Sequence, residues 1–106
     1  MKFGRHFRIN KNAKLVVGRN EDENNVITSL AMPGDLLLEV KDYKGPIALL
    51  RGVYDESILV FSASIVHRYS DAPKDAKCAV AIRNNNDLKE IFVSSANNEE
   101  LNSYRI

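Results

Sequence analysis

The chain has 106 residues, of which 44% are hydrophobic and 27% are charged, and its formal net charge is +1. This length fits one domain with one modest core, and no apolar run approaches the roughly 20 residues of a membrane-spanning helix. The small net charge argues against a protein that holds duplex DNA by charge alone, since such domains usually have a pI above about 9. A single cysteine, Cys78, excludes an internal disulfide and favours a reducing, cytoplasmic setting.

Charge is distributed unevenly along the chain. The first twenty residues contain one histidine and no carboxylate, and their cations are Lys2, Arg5, Arg8, Lys11, Lys14 and Arg19. The remainder holds nine basic and fourteen acidic residues, so a segment of charge +6 precedes one of charge −5. A local field of one sign attracts polyanions even when the whole chain is nearly neutral, so this segment predicts a nucleic-acid partner.

A β-hairpin is predicted at the start of the chain. Alternation over residues 3–9 indicates a half-buried strand, and residues 14–18 form a second short strand after a polar turn. Phe3 and Phe7 share the parity of Ile9, which favours core positions over base-stacking ones. The outer face and the turn are predicted to be basic, with Lys2, His6, Arg8, Lys11 and Lys14. An alternative is that these charges only keep an edge strand from aggregating.

The first helix is predicted to begin after Asn20. Asn20 is an N-cap residue with Glu23 in the capping-box position, and Pro33-Gly34 ends the helix. The preceding Gly18-Arg19 joins a strand to the helix N-terminus, where backbone amides and the helix dipole favour an anion and where Arg19 could hold a phosphate. The alternative is a tight turn with a capping Asn, because the acidic first turn weakens that field.

The other elements complete a single α+β domain. They are strands over 35–40 and 47–50, a helix over 55–69, and strands over 78–83 and 89–94. The predicted order is β-β-α-β-β-α-β-β, in one mixed β-sheet with the helices packed on it and right-handed crossovers. We expect an ordered core over about 3–95, and leave the polar tail, 96–106, open between order and flexibility.

The sequence offers little chemistry for catalysis. His6 and His67 are far apart, and no nucleophile, base and acid group together. The carboxylates of the helix cap are consecutive, which does not converge them on a metal, and no nucleotide-binding fingerprint is present. We therefore predict no catalytic residue, no metal and no cofactor. Cys78 begins an apolar strand and is expected to be a small core residue.

The segment Val17–Asn24, with Gly-Arg-Asn and then Glu opening a helix, resembles the NFACT RNA-binding domain. The similarity continues at Asp35, in the turn over 41–46 and in the helix around 62–71, and it covers about 3–95. The resemblance departs at Leu36-Leu37-Leu38, where ribosome-associated members have an aromatic residue and a histidine. Contacts that depend on those positions are therefore not carried over.

This resemblance implies a non-catalytic RNA-binding module. The opening residues 2–8 are more similar to a variant found at the C-terminus of tRNA thiouridylase-like proteins. That similarity implies tRNA as the RNA, and a catalytic domain of the same parent protein as a further partner.

Our leading hypothesis is RNA binding through one basic surface. The predicted RNA-binding residues are Arg5, His6, Arg8, Lys11, Lys14, Arg19 and Asn20. One alternative is a protein-docking domain of a larger enzyme, which an exposed apolar strand edge would favour. The other is a small nucleotide-binding or hydrolase domain, which would need His6, Arg19 and His67 to converge in one deep pocket.

Overall fold

The computed structural model describes residues 4–84 and 87–97. Six strands and two helices follow one another in the predicted order. They are β1 (Arg5–Asn10), β2 (Ala13–Val17), α1 (Glu21–Leu30), β3 (Leu36–Val40), β4 (Ile47–Gly52), α2 (Glu56–Arg68), β5 (Cys78–Asn84) and β6 (Asp87–Val93). The predictions for Lys2, Phe3 and the tail beyond residue 97 lie outside the described residues.

Local sequence accounts for both helix starts. The Asn20 side chain accepts a hydrogen bond from the Glu23 amide, and the Asp55 side chain accepts one from the Ile58 amide. At the other end of α2, the ammonium of Lys74 donates to backbone carbonyls at the helix C-terminus, including that of His67. The sequence did not predict this lysine cap. No helix in the described part of the chain is long and apolar enough to cross a membrane.

The strands form one sheet in the order β1-β2-β4-β3-β5-β6, and every neighbouring pair is antiparallel. The predicted mixed sheet is therefore wrong, although the α+β class is confirmed. The crossover through α1 does join two parallel strands, β2 and β3, but β4 lies between them. The crossover through α2 likewise joins β4 to β5 across β3. Each crossover thus skips one strand, and the inserted strand runs the opposite way.

The two helices pack on opposite faces of the sheet. The connections β2-α1-β3 and β4-α2-β5 run in the same direction across the sheet, but their first strands, β2 and β4, are antiparallel. Two connections of the same handedness therefore place α1 and α2 on different sides of the sheet. Most of the core lies under α2, around Leu38, Leu50 and Val66. A smaller cluster under α1 contains Val16, Ile27 and Leu49. Cys78 is buried in the larger core, which confirms its predicted position, and burial raises the pKa of its thiol.

Candidate functional site

A row of cations crosses three adjacent strands on the α1 face. Arg8 on β1 lies directly opposite Lys14 on β2, and Lys14 lies directly opposite Arg51 on β4. We call Arg8, Lys14 and Arg51 the tip row, because they lie near the hairpin turn that carries Lys11. Neighbouring strands are about 4.8 Å apart, so the row spans roughly 10 Å. Like charges directly opposite one another destabilise a sheet, and this row therefore favours an anionic ligand.

One member of the tip row is already paired. Arg51 donates to Asp35 from Nε at 3.1 Å and from Nη2 at 2.7 Å, and Asp35 also accepts the Met32 amide at 2.9 Å. Desolvation acts to raise the pKa of Asp35, but these hydrogen bonds outweigh it and the net pKa is lowered. Within the described residues, Arg8 and Lys14 have no such carboxylate partner. Arg8 and Lys14 therefore carry the uncompensated positive charge of the tip row.

Sequence reasoning missed Arg51. It lies outside the basic N-terminal segment, and only the pairing of β4 with β2 brings it beside Lys14. The signal available in the sequence was weak, because Arg51 follows an apolar strand in a position typical of a turn.

Arg19 lies at the other end of β2 from the tip row. The four steps along the chain from Lys14 to Gly18 span about 13 Å. Arg19 donates to Glu23 from Nε at 2.9 Å, from Nη2 at 2.8 Å and from its backbone amide at 3.0 Å. The hydrogen bond from the Arg19 side chain, followed by that from the Gly4 amide, lowers the pKa of Glu23 to about 2. Much of the Arg19 charge is therefore compensated within the protein.

The remaining predicted residues also occupy separate places. The Arg5 guanidinium lies 4.5 Å from the ring centroid of Tyr69, on the α2 side of the sheet. His6 is half-buried on the α1 side, opposite Val16. Asn20 caps α1 with its side-chain oxygen. The structure thus groups Arg8 and Lys14 near Lys11, and separates them from Arg5, Arg19 and Asn20.

Arg5, Arg19 and Asn20 line a common cleft of about 620 Å³ at the end of the sheet where β2 and β3 finish. We call it the end cleft. Its other lining residues are Gly18, Glu21, Asn24, Glu39, Val40, Tyr43, Lys44, Gly45, Pro46, Tyr69 and Asp71. Three cations and three carboxylates occur among these residues, so the end cleft has no excess of positive charge.

The geometry removes the support for a catalytic site built on the two histidines. His67 is fully buried on α2, and its Nε2 lies 2.7 Å from the Ala76 carbonyl oxygen. His6 lies on the opposite side of the sheet, and neither histidine lines the end cleft with Arg19. The three residues therefore do not converge in one pocket.

The far edge of the sheet carries two exposed apolar side chains among charged ones. β6 is an edge strand, and Leu88 and Phe92 on it are 64% and 72% exposed. Such an edge is the feature that favours a docking role.

The fold and these surfaces define a class, a small α+β domain that presents unpaired cations on a β-hairpin and is suited to bind polyanions. A model of the NFACT protein RNA-binding domain matches residues 4–105. The chain therefore belongs to the NFACT RNA-binding domain family, and the resemblance recognised in the sequence is confirmed. RNA is accordingly the partner class that the family supports, and a non-catalytic module is the role.

A solved structure shares the fold. It is the C-terminal part of the fibronectin/fibrinogen-binding protein from Streptococcus suis, with a TM-score of 0.82 at 15% identity. The match covers 100% of this chain and 51% of that structure, so this chain spans about half its length. At this identity the similarity shows the fold alone. No curated protein matches the chain.

Proposed function

We propose that this domain binds tRNA through the tip row and Lys11, as an auxiliary module of a cytoplasmic, thiouridylase-like tRNA-modifying protein. The observation that carries the proposal is the direct opposition of Arg8 and Lys14, with no carboxylate partner for either among the described residues. The similarity of residues 2–8 to the thiouridylase-associated variant supports the choice of RNA and of parent protein.

The tip row suits the phosphate backbone of RNA for a physical reason. Its cations stand on hydrogen-bonded strands, so the backbone that carries them loses little conformational entropy when they meet phosphates. Binding releases counterions from the RNA, and this supplies affinity without base recognition. Only a few contacts are available on a chain of net charge +1, which is why we propose an auxiliary binder rather than a strong one.

The test is the salt dependence of tRNA binding, measured by fluorescence anisotropy between 50 and 200 mM salt. We expect the double variant Arg8→Glu/Lys14→Glu to lose at least about 10-fold in affinity and to flatten the slope of log K against log salt by about 1.5. The matched control is Lys77→Glu/Lys89→Glu, which changes the net charge equally on exposed residues away from the hairpin.

Two outcomes contradict the proposal. Binding of the unmodified protein that does not change with salt would exclude phosphate contacts as the source of affinity. An equal loss in both double variants would show that net charge matters and that the tip row does not.

A second candidate function is docking through β6 onto another domain of the parent protein. The exposed Leu88 and Phe92 on this edge strand favour it. Docking through β6 predicts a complex whose affinity does not change with salt and that is lost in the Phe92→Ser variant. This function is compatible with tRNA binding at the opposite edge of the sheet.

A further inference from the structure

We infer that the end cleft holds one unstacked nucleobase of the bound RNA, and that a carboxylate of the cleft accepts a hydrogen bond from the exocyclic amino group of that base. The inference rests on the proposed function, because RNA bound at the tip row brings the base. It adds a second site of different chemistry, which neither the basic hairpin nor the family match assigns.

The charge of the end cleft favours a base over a phosphate. Its cations, Arg5, Arg19 and Lys44, are balanced by Glu21, Glu39 and Asp71. A phosphate site needs an excess of donors and of positive charge. A base is neutral and has both donors and acceptors on its edges, so it can use the mixed lining.

Aromatic and guanidinium planes in the end cleft can stack on a base. Tyr43 lines the cleft and is 44% exposed, so its ring is accessible. The Arg5 guanidinium lies over Tyr69, which holds this long side chain against the cleft wall. Tyrosine rings and arginine planes are the usual stacking partners of splayed RNA bases.

Polar groups with spare hydrogen-bonding capacity accompany these planes. The Asn24 side-chain oxygen accepts the Ile47 amide at 3.1 Å, and its amide nitrogen has no hydrogen-bond partner within residues 4–84 and 87–97. Glu39 is half-buried beside it, without an ion pair to another described residue. A carboxylate accepts from the amino groups of adenine, cytosine and guanine, whereas uracil has no amino group.

The walls of the end cleft are formed before any ligand binds. A Cβ atom at Gly18 would overlap Asn24 Oδ1, so glycine lets α1 approach the end of β2. A Cβ atom at Gly45 would lie 2.8 Å from the Ser70 Cβ, and the Asp71 amide donates to the Lys44 carbonyl at 2.7 Å. These contacts fix the loop that carries Tyr43, which reduces the ordering cost of binding.

The experiment compares four RNA dodecamers of equal charge: oligo(A), oligo(C), oligo(U) and an abasic ribose-phosphate strand. Anisotropy at one salt concentration reports affinity. We expect oligo(A) and oligo(C) to bind about 10-fold more tightly than the abasic strand, since the bases stack on the aromatic side chain and the abasic strand cannot. Oligo(U) should lie between them, because it stacks but lacks the amino group.

Variants locate the effect in the end cleft. Tyr43→Ala should reduce the preference of oligo(A) over the abasic strand to less than about 3-fold and leave the abasic affinity unchanged. Tyr54→Ala is the matched control, an exposed tyrosine outside the cleft, and should keep the full preference. Glu39→Gln should reduce the preference of oligo(A) and oligo(C) over oligo(U), because a neutral amide is a weaker acceptor than a carboxylate, and should keep the preference of oligo(U) over the abasic strand. Circular dichroism verifies that each variant folds.

The failures are distinguishable. If all four strands bind equally and with salt dependence, or if the two tyrosine variants behave alike, the base site is wrong and the phosphate function stands. If no strand binds at any salt concentration, both proposals are wrong.

Discussion

At each end of β2 an arginine is paired with a largely buried carboxylate, but the surroundings of the two pairs differ. Beside the end cleft, Glu23 accepts two hydrogen bonds from the Arg19 guanidinium and further ones from the backbone amides of Arg19 and Gly4. At the tip row, Asp35 accepts bonds from the Arg51 guanidinium and also one from a backbone amide. Both carboxylates are largely buried, and the pKa of each is lowered.

The difference lies in the charge that remains after this pairing. Beside Arg51, the cations Arg8 and Lys14 are uncompensated by described carboxylates, so the tip row keeps a positive field. Once Arg19 is set aside with its partner Glu23, two cations and three carboxylates remain among the residues that line the end cleft. A count of basic residues in the sequence therefore overstates the field at one end. The net charge that remains after this pairing therefore indicates which end of β2 suits a phosphate and which suits a base.

The largest effect on folding is expected from Asp35→Asn. At the buried Asp35, the substitution replaces charge-assisted hydrogen bonds by neutral ones and leaves the exposed Arg51 without its ion-pair partner. We expect the free energy of unfolding to fall by about 2 kcal/mol, as measured by urea denaturation. The affinity for tRNA should rise at the same time, because the tip row gains positive charge. A variant as stable as the unmodified protein would show that Asp35 has no structural role.

Lowering the pH should destabilise the folded protein through protonation of Glu23. Its pKa is lowered from 4.5 to about 2 in the folded protein, first by the Arg19 side chain, so the unfolded chain takes up the proton at a higher pH. The stabilisation is therefore complete above about pH 4.5 and is lost as the pH falls towards 2. Urea denaturation between pH 5 and 2.5 should show a shallower decline in Glu23→Gln than in the unmodified protein. Parallel curves would contradict this assignment.

The smallest effect is expected from Arg8→Thr. Removing one of two directly opposed cations relieves repulsion across β1 and β2, and threonine suits a strand, so stability should rise by up to about 0.5 kcal/mol. Arg19→Thr is the contrasting variant and should lose stability, because Glu23 then lacks its partner. If both variants destabilise the protein, Arg8 is held by a structural partner and the two ends are more alike than we propose.

Much of the fold could be predicted from local sequence. Alternation predicted the hairpin, the N-cap Asn20 predicted the start of α1, and the apolar pattern predicted α2. The Asp55 cap of α2 is equally local, because capping bonds join residues three apart. The strand neighbours could not be predicted in this way. The chain order suggests β2 beside β3, whereas β4, which follows both strands in the sequence, lies between them in the sheet. The parallel neighbours assumed from the crossovers are therefore absent from the described sheet.

Some features of the candidate site could likewise be predicted from the sequence, and others could not. The sequence alone determined that the N-terminal twenty residues carry a formal charge of +6 and that a family motif opens α1. Only the tertiary structure decided that Arg51 joins Arg8 and Lys14, and that Arg5 and Arg19 belong to a cleft shared with the β3–β4 loop. The physical reason is that Coulomb and hydrogen-bond energies depend on distances of a few ångströms, and strand pairing sets those distances between residues far apart in the chain.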